Sequence, residues 1–267
     1  MIDWDGPSRQ PCPDCGRGAK DRTCGVTLDQ IGAVAHCFRC GYVETMRGEV
    51  RAGKAPQAGR SNQRHESLSE FGQQLWEACR PIAGEALAYL EARACVICPV
   101  DGDLRWHPAL KHPPSGLVGP ALVALVTDAA TGKPLSLHRT WIRADGSKAP
   151  VEPARMLLGG HRKQGGVVRL WPDDAVTTGL GVAEGIETAL SLAHGLTPVW
   201  ACIDAGNLAG LAVLDGIEAL TIAADHDDAG IAAANTCADR WARAGAEVRV
   251  VLPEIQKTDL NDVARAA

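Results

Sequence analysis

TIAADHDDAG, residues 221–230, decides the fold. A short apolar run ends in Asp225, His226, Asp227 and Asp228, and Ala229-Gly230 then opens an alanine-rich amphipathic stretch. Carboxylates this close oppose one another unless they are protonated, solvated or neutralised by a cation. The pattern predicts a strand, a tight acidic turn and a helix. The same rhythm surrounds it: GLGVAEG reads as strand, IETALSLAHG as helix, PVWACID as strand, NLAGLAVLDG as short helix, ALTIAAD as strand and EVRVVLP as strand. Short apolar strands alternating with helices imply βαβ units and a parallel, Rossmann-like sheet over residues 179–267. In such sheets chemistry gathers at the carboxyl ends of strands.

Asp225 and Asp227 straddle one residue, so an extended strand end sends both side chains from one face. Such a pair suits a hard divalent cation, magnesium or manganese, completed by water and phosphate oxygens. Glu184, after the first strand of the set, brings a third carboxylate from a neighbouring βα turn. Helix N-capping competes for these residues, because aspartate favours helix starts; a cap explains one aspartate, not three. Asp228 and His226 point elsewhere in this register, and Gly230 lets the helix open close against the strand.

The chain has 267 residues and a net charge of −5, with ten cysteines. The charge is uneven. Residues 1–66 carry ten Lys/Arg against eight Asp/Glu, residues 67–178 twelve against eleven, and residues 179–267 five against thirteen. An acidic last third does not hold phosphate backbones unaided; it needs cations that reverse its local field. No apolar run is long enough for a membrane span, and the start lacks a secretory pattern, so a soluble, cytoplasmic protein without membrane partners is expected.

CPDC (12–15) and CFRC (37–40) are separated by 21 residues. In a reducing compartment two Cys-x2-Cys pairs predict a closed structural zinc site of Cys12, Cys15, Cys37 and Cys40. Gly16 and Gly41 supply permissive knuckle backbone. Four thiolates complete the shell, so Cys24 and His36 are left out, and Cys95-x2-Cys98 reads as a chance pair of thiols. Lys20, Arg22 and Arg39 are ordinary surface residues singly; together they suit phosphate contact.

Residues 49–66 read as a basic linker. SLSEFGQQLWEAC predicts a helix with Phe71, Leu75, Trp76 and Cys79 on one face and Ser67 or Ser69 as cap; EALAYLEARA predicts a second. ALVALVTDAATGKPLSLHRTWI predicts a hairpin. The domains are therefore a zinc ribbon (1–48), a linker (49–66), an α+β subdomain (67–178) and the parallel α/β domain (179–267). Arg139, Arg143, Lys148, Arg155, Arg162 and Lys163 give the middle subdomain basic groups. Lys148, on the turn DGSKAP, is the one expected to touch a nucleotide phosphate, with Arg139 and Arg143 as further contacts.

VAEGIETALS followed by AADHDDAG resembles the Toprim domain of bacterial-type primases, type IA and II topoisomerases and some nucleases. Glu184, Asp225 and Asp227 match its acidic signature. LRWHPAL, HRTWIRADGSKAPVEPARMLLGG and KTDLNDV extend the likeness to primase-type Toprim proteins of phages, plasmids and mobile elements, with an N-terminal zinc ribbon. The resemblance implies zinc, catalytic magnesium or manganese, a single-stranded DNA template, NTPs and a replicative helicase acting in trans. It also implies an acidic motif closing the domain, which here offers Asp259 and Asp262. Bacterial replicative primases place an aspartate four residues after the glutamate, where this chain has Thr188; the preceding Glu187 is read as an outward-facing helix residue as readily as a functional one.

The expected activity is synthesis of short RNA primers, with the template along the middle segment and the ribbon. A Toprim nuclease or nickase and a non-catalytic replication-initiation protein are the alternatives. The two tyrosines, Tyr42 beside a knuckle and Tyr89 on an apolar helix face, do not look like strand-cleaving nucleophiles.

Overall fold

The computed structural model describes residues 2–4, 9–15, 18, 21–29, 32–37, 40, 42–47 and 65–267. Gly16, Lys20, Arg39, Gly41 and most of the expected linker (49–64) lie outside the described residues. The chain forms two compact units, Met1–Ser61 and Asn62–Ala267. Among the described residues no helix is long and apolar enough to cross a membrane.

The first unit is an antiparallel sheet in the order β1 (Arg9–Gln10), β2 (Cys24–Asp29), β3 (Gly32–Cys37), β4 (Val43–Arg47). Cys24 pairs with Cys37 across the β2–β3 ladder. Its core is small, built on Ile2, Cys12, Cys24, Ala35 and Cys37. So few apolar groups stabilise a fold weakly without a metal or other staple.

The second unit begins with α1 (Glu70–Ala78) and α2 (Gly84–Ala92). Ser69 caps α1, accepting from the Gly72 N–H at 3.3 Å. Leu75, Trp76 and Cys79 pack inward, but Phe71 is 62% exposed and does not belong to the buried face expected for it. An antiparallel sheet follows, ordered β5 (Leu104–Lys111), β6 (Val118–Asp128), β7 (Pro134–Trp141), β8 (Arg155–Leu157), with β9 (Gly166–Val167) on β6. The predicted hairpin is β6–β7. The run ALVALV in β6 does not alternate with polar residues because both faces are covered. Leu122, Ala124 and Val126 join the core under α2, while Val123 and Leu125 join the core that also holds Leu75 and Trp76.

The last part is an all-parallel sheet, β11 (Val199–Ala201), β10 (Gly179–Ala183), β12 (Ala219–Ala223), β13 (Glu247–Val251), in that spatial order. Strand alternation divides its side chains. Leu180, Val182, Trp200, Leu220 and Ile222 share a core with residues of α4 (Ala205–Gly210) and α5 (Asp228–Arg243). Ala183, Val199, Ala201 and Ala223 share the other core with α3 (Ile186–Leu192) and α2. A bridge from Val168 to Ala201 joins the preceding segment to the β11 edge. The chain closes with α6 (Leu260–Ala266). The short helix expected from NLAGLAVLDG starts earlier, at Ala205, because Asp204 caps it, and it ends at Gly210. The fold is thus α/β: a cysteine-bearing ribbon, an α+β middle region and a C-terminal parallel sheet.

Candidate functional site

In the first unit Cys12, Cys15, Cys37 and Cys40 bring their sulfurs within 4.8 Å of one another. The Cys12–Cys40 and Cys15–Cys37 separations are 3.6 and 3.7 Å. Tetrahedral zinc with sulfur ligands at about 2.3 Å requires sulfurs about 3.8 Å apart, so these four thiols can hold it. Hydrogen bonding to Cys40, burial and contacts with Cys37 and Cys12 push the Cys15 thiol up to about 12. Metal binding would release that proton, because a zinc-ligating sulfur is a thiolate. Cys24 is fully buried beside the cluster and outside it, and His36 is exposed. Among the described residues this is the one group of three or more His, Cys, Asp or Glu ligands converging on a point.

In the second unit the acidic groups gather at the carboxyl ends of β10, β11 and β12. Glu184 follows β10, with Gly185 starting α3. Asp225 follows β12, and Asp227 caps α5, its Oδ1 accepting from the Gly230 N–H at 2.7 Å. Gly230 is required here, because a Cβ on it would stand 2.5 Å from the Asp225 carbonyl oxygen. Asp225 Oδ1 is buried and has no hydrogen-bond partner. Burial, then Glu184, Asp259 and Asp227, push the Asp225 carboxyl up to about 6, with Arg155 opposing. Glu184 is raised by burial, then by Asp204 and Asp227, and Arg155 again opposes. A partnerless buried carboxylate oxygen among other carboxylates suits a hard cation.

The closing motif is held over the site by His226. Its Nδ1–H donates to the Pro253 carbonyl at 2.8 Å, its backbone N–H donates to Thr258 O at 2.9 Å, and its carbonyl accepts from the Lys257 N–H at 2.7 Å. Asp225, Asp227, Asp259 and Asp262 consequently line one cleft of about 160 Å³. Asp259 caps α6 in a reciprocal box: its Oδ1 accepts from the Asp262 N–H at 2.9 Å, and Asp262 Oδ2 accepts from the Asp259 N–H at 3.2 Å. Asp262 therefore meets the cleft with one oxygen engaged in the cap. Asp228 is the exposed first residue of α5.

The structure removes one of the two readings of Glu187. It does not face outward: it is 7% exposed, and the Tyr89 hydroxyl donates to its Oε1 at 2.8 Å. Burial alone would raise its pKa, but Lys148, Arg155 and the Tyr89 hydrogen bond outweigh it and hold the carboxyl low. Lys148 is half-buried on the turn with Gly146 at φ 80° and feels both Glu187 and Asp259. Arg155 is exposed. Arg139 also departs from expectation. It is 5% exposed, and its guanidinium donates to Leu157 O at 3.0 Å, inside the fold and not toward a phosphate. Arg143 is exposed and pairs with Asp145 at 3.4 Å. Arg22, in the first unit, is exposed and donates to Asp21 O at 2.9 Å. Cys95 and Cys98 are buried core thiols.

Sequence reasoning missed Asp204. It follows Ile203, a β-branched residue at φ 65°, and pairs with Lys163 at 2.8 Å. Backbone held in that region by a β-branched residue is strained and concentrates at functional sites. The sequence signal is partial: CID ends the expected strand PVWACID, and only the fold sets that strand beside β10. Asn261 was missed as well. Fully buried, it donates to Arg93 O at 2.7 Å and Ser191 Oγ at 3.0 Å, docking α6 beside α3.

Residues 66–170 match a family described as a domain of unknown function (DUF7146), and residues 179–267 match the Toprim domain family. No curated protein matches. Among solved structures the chain is similar to a DNA primase domain from Pseudomonas aeruginosa, at 14% identity over 74% of each chain and a TM-score of 0.48. It is similar to the primase fragment of the bacteriophage T7 primase-helicase protein, at 18% identity over 95% of this chain and 92% of that one, TM-score 0.43. A third is the Aquifex aeolicus primase (zinc binding and RNA polymerase domains), at 15% identity over 97% and 75%, TM-score 0.49. With its acidic strand ends and the family match together, the C-terminal third of this chain, residues 179–267, is a Toprim domain.

Proposed function

We propose that this chain is a primase-type nucleotidyltransferase that makes short RNA primers from NTPs on single-stranded DNA. The observation carrying the reading is the partnerless, buried Asp225 oxygen among Glu184, Asp227 and Asp259, with cationic Arg155 and Lys148 beside the same carboxylates. Asp225 and Asp227 would hold magnesium or manganese, which when bound neutralises the polyphosphate and eases ionisation of the attacking hydroxyl. Glu184, raised by burial, would accept the proton of the primer 3′-hydroxyl. That oxygen bonds to the α-phosphorus of the incoming NTP, the bond to the bridging oxygen breaks, and pyrophosphate leaves. Lys148 and Arg155 bind the triphosphate. The four cysteines hold structural zinc.

A tyrosine-based cleaving mechanism is disfavoured. Tyr89 is fully buried and bonded to Glu187, and Tyr42 donates to Glu44. The test is synthesis of labelled oligoribonucleotides on varied single-stranded templates by wild type and Asp225→Asn. Magnesium-dependent products from wild type alone support the proposal. No product on any template from zinc-loaded protein rejects it, and nicking of plasmid without NTPs would instead favour a water-using nuclease.

A further inference from the structure

The cleft between the acidic turn and the closing motif is lined by charges of both signs. Asp225, Asp227, Asp259 and Asp262 share it with Lys257. Opposite charges confined this closely attract one another, yet none of these five side chains makes an ion pair among the described residues. The backbone fixes the arrangement. The Lys257 N–H donates to the His226 carbonyl at 2.7 Å, and the Thr258 carbonyl accepts from the His226 N–H at 2.9 Å, so the lysine is tied to the middle of the acidic turn. Lys257 is exposed and stands at φ 62°, where a non-glycine residue is uncommon. Such strain persists where surrounding contacts impose it, and it collects at functional sites. The carboxylates are fixed as well: Asp227 and Asp259 each give one oxygen to a helix cap, and Asp262 gives one to the Asp259 N–H. A cleft that keeps both signs unpaired complements a ligand that carries both. A divalent cation chelated by phosphate is such a ligand, its metal taken by carboxylates and its phosphate oxygens by an ammonium. Size narrows the choice. The cleft holds about 160 Å³, whereas pockets that enclose drug-sized molecules run to about 300–1,000 Å³. It suits a diphosphate with its metal and cannot enclose a nucleoside as well.

We propose that Lys257 is a phosphate ligand, and that the cleft it lines with Asp225, Asp227, Asp259 and Asp262 is the subsite for the metal-bound diphosphate that leaves the nucleotide as pyrophosphate. This rests on the nucleotidyl-transfer reading above and adds to it a residue and a leaving-group subsite. Loss of the ammonium should weaken diphosphate binding and spare the binding of the metal.

The experiment is a pair of calorimetric titrations without template. Inorganic pyrophosphate in excess magnesium is titrated into wild type, Lys257→Asn, Lys257→Gln and Lys257→Arg, and magnesium alone is titrated into the same four proteins. Asparagine accepts this φ more readily than lysine does, and thermal melts check folding. Lys257→Asn and Lys257→Gln should each weaken pyrophosphate binding about tenfold, through loss of one charge-assisted contact. Lys257→Arg should stay within about threefold of wild type. Magnesium alone should bind the two neutral variants as tightly as wild type or more tightly, because a like charge has left its neighbourhood. A purely structural role for Lys257 would weaken both titrations together. Wild-type pyrophosphate affinity in both neutral variants overturns the proposal, as does magnesium affinity that falls in step with it, or absence of pyrophosphate binding by wild type. If lysine-dependent pyrophosphate binding is found but no primers are ever made, the subsite stands and the primase reading falls. If primers are made and pyrophosphate binding ignores Lys257, the reverse holds.

Discussion

Asp225→Asn should stabilise the protein at neutral pH without divalent ions and remove its response to them. Asp225 rises from 3.8 to about 6, through burial first and then Glu184, Asp259 and Asp227. A carboxyl raised by folding leaves stability whole below its unfolded value. Stability falls as the pH climbs from about 4, and the loss is complete above about 6. The whole shift amounts to about 3 kcal/mol. Part of the carboxylate reaches solvent, and screening reduces the figure to roughly 1–2 kcal/mol. Asparagine keeps the shape and removes the charge, so in a unit of roughly 200 residues it should raise Tm by about 2–8 °C. Calorimetry at pH 7.5, in buffer stripped of free divalent ions over chelating resin, measures the gain. Most of it should vanish at pH 4, where the folded wild type is itself protonated. Millimolar magnesium should then raise the wild-type Tm and leave the variant unmoved. A variant less stable than wild type at pH 7.5, or a gain of equal size at both pH values, would refute the account of Asp225 as a charge held for a cation.

Asp227→Asn should keep the α5 cap and abolish primer synthesis, whereas Asp227→Ala should lose activity and also forfeit about 1 kcal/mol of capping, read by melts at pH 7.5. Gly230→Ala should cost about 1–3 kcal/mol, because its Cβ would meet the Asp225 carbonyl at 2.5 Å, and should lower activity by moving that carboxylate. Cys37→Ser should abolish the bound zinc measured by atomic emission and the ribbon's strand signal in circular dichroism, because the first unit has so small a core. Arg139→Ala should lower Tm and leave MgATP affinity unchanged, and Arg155→Ala should leave Tm near wild type and weaken MgATP binding, each read by melting and by titration calorimetry.

The parallel sheet was legible because β10, β11 and β12 are buried and read as short apolar runs bounded by turns, while β13, at the exposed edge, alternates with charged residues. The placement of Glu184, Asp225 and Asp227 just after strand ends was legible because short apolar runs there stop abruptly at acidic residues. Glu187 was not. Reading it as outward-facing assumes a helix with one solvated side, and α3 has none, being packed on every face. The same assumption misplaced Arg139, on a strand covered by side chains on both faces. Phe71 failed in the opposite direction: its spacing from Leu75 fits a helical stripe, yet the core beneath α1 is filled from other positions. Asp204 was hidden because the apolar run NLAGLAVLDG drew the expected helix past it, and only the fold reveals that β11 is adjacent to β10.

Three of the clustered carboxylates are also helix N-caps: Asp204 for α4, Asp227 for α5 and Asp259 for α6. Each accepts a backbone N–H from its own helix, at 2.9, 2.7 and 2.9 Å respectively. A helix start favours negative charge through those unsatisfied donors and the aligned peptide dipoles. Capping and metal binding are therefore not rival explanations of the acidic turn. A cap engages one carboxylate oxygen, fixes the rotamer and offsets part of the mutual repulsion, leaving the second oxygen to another partner. Neither Glu184 nor Asp225 is an N-cap; the Ala205 backbone at the start of α4 relieves Glu184 in part, and both are still raised by burial and by their neighbours. Most of the unrelieved charge of the cluster thereby falls on these two groups, just past the ends of the adjacent strands β10 and β12, where a cation bound by Asp225 would act on both.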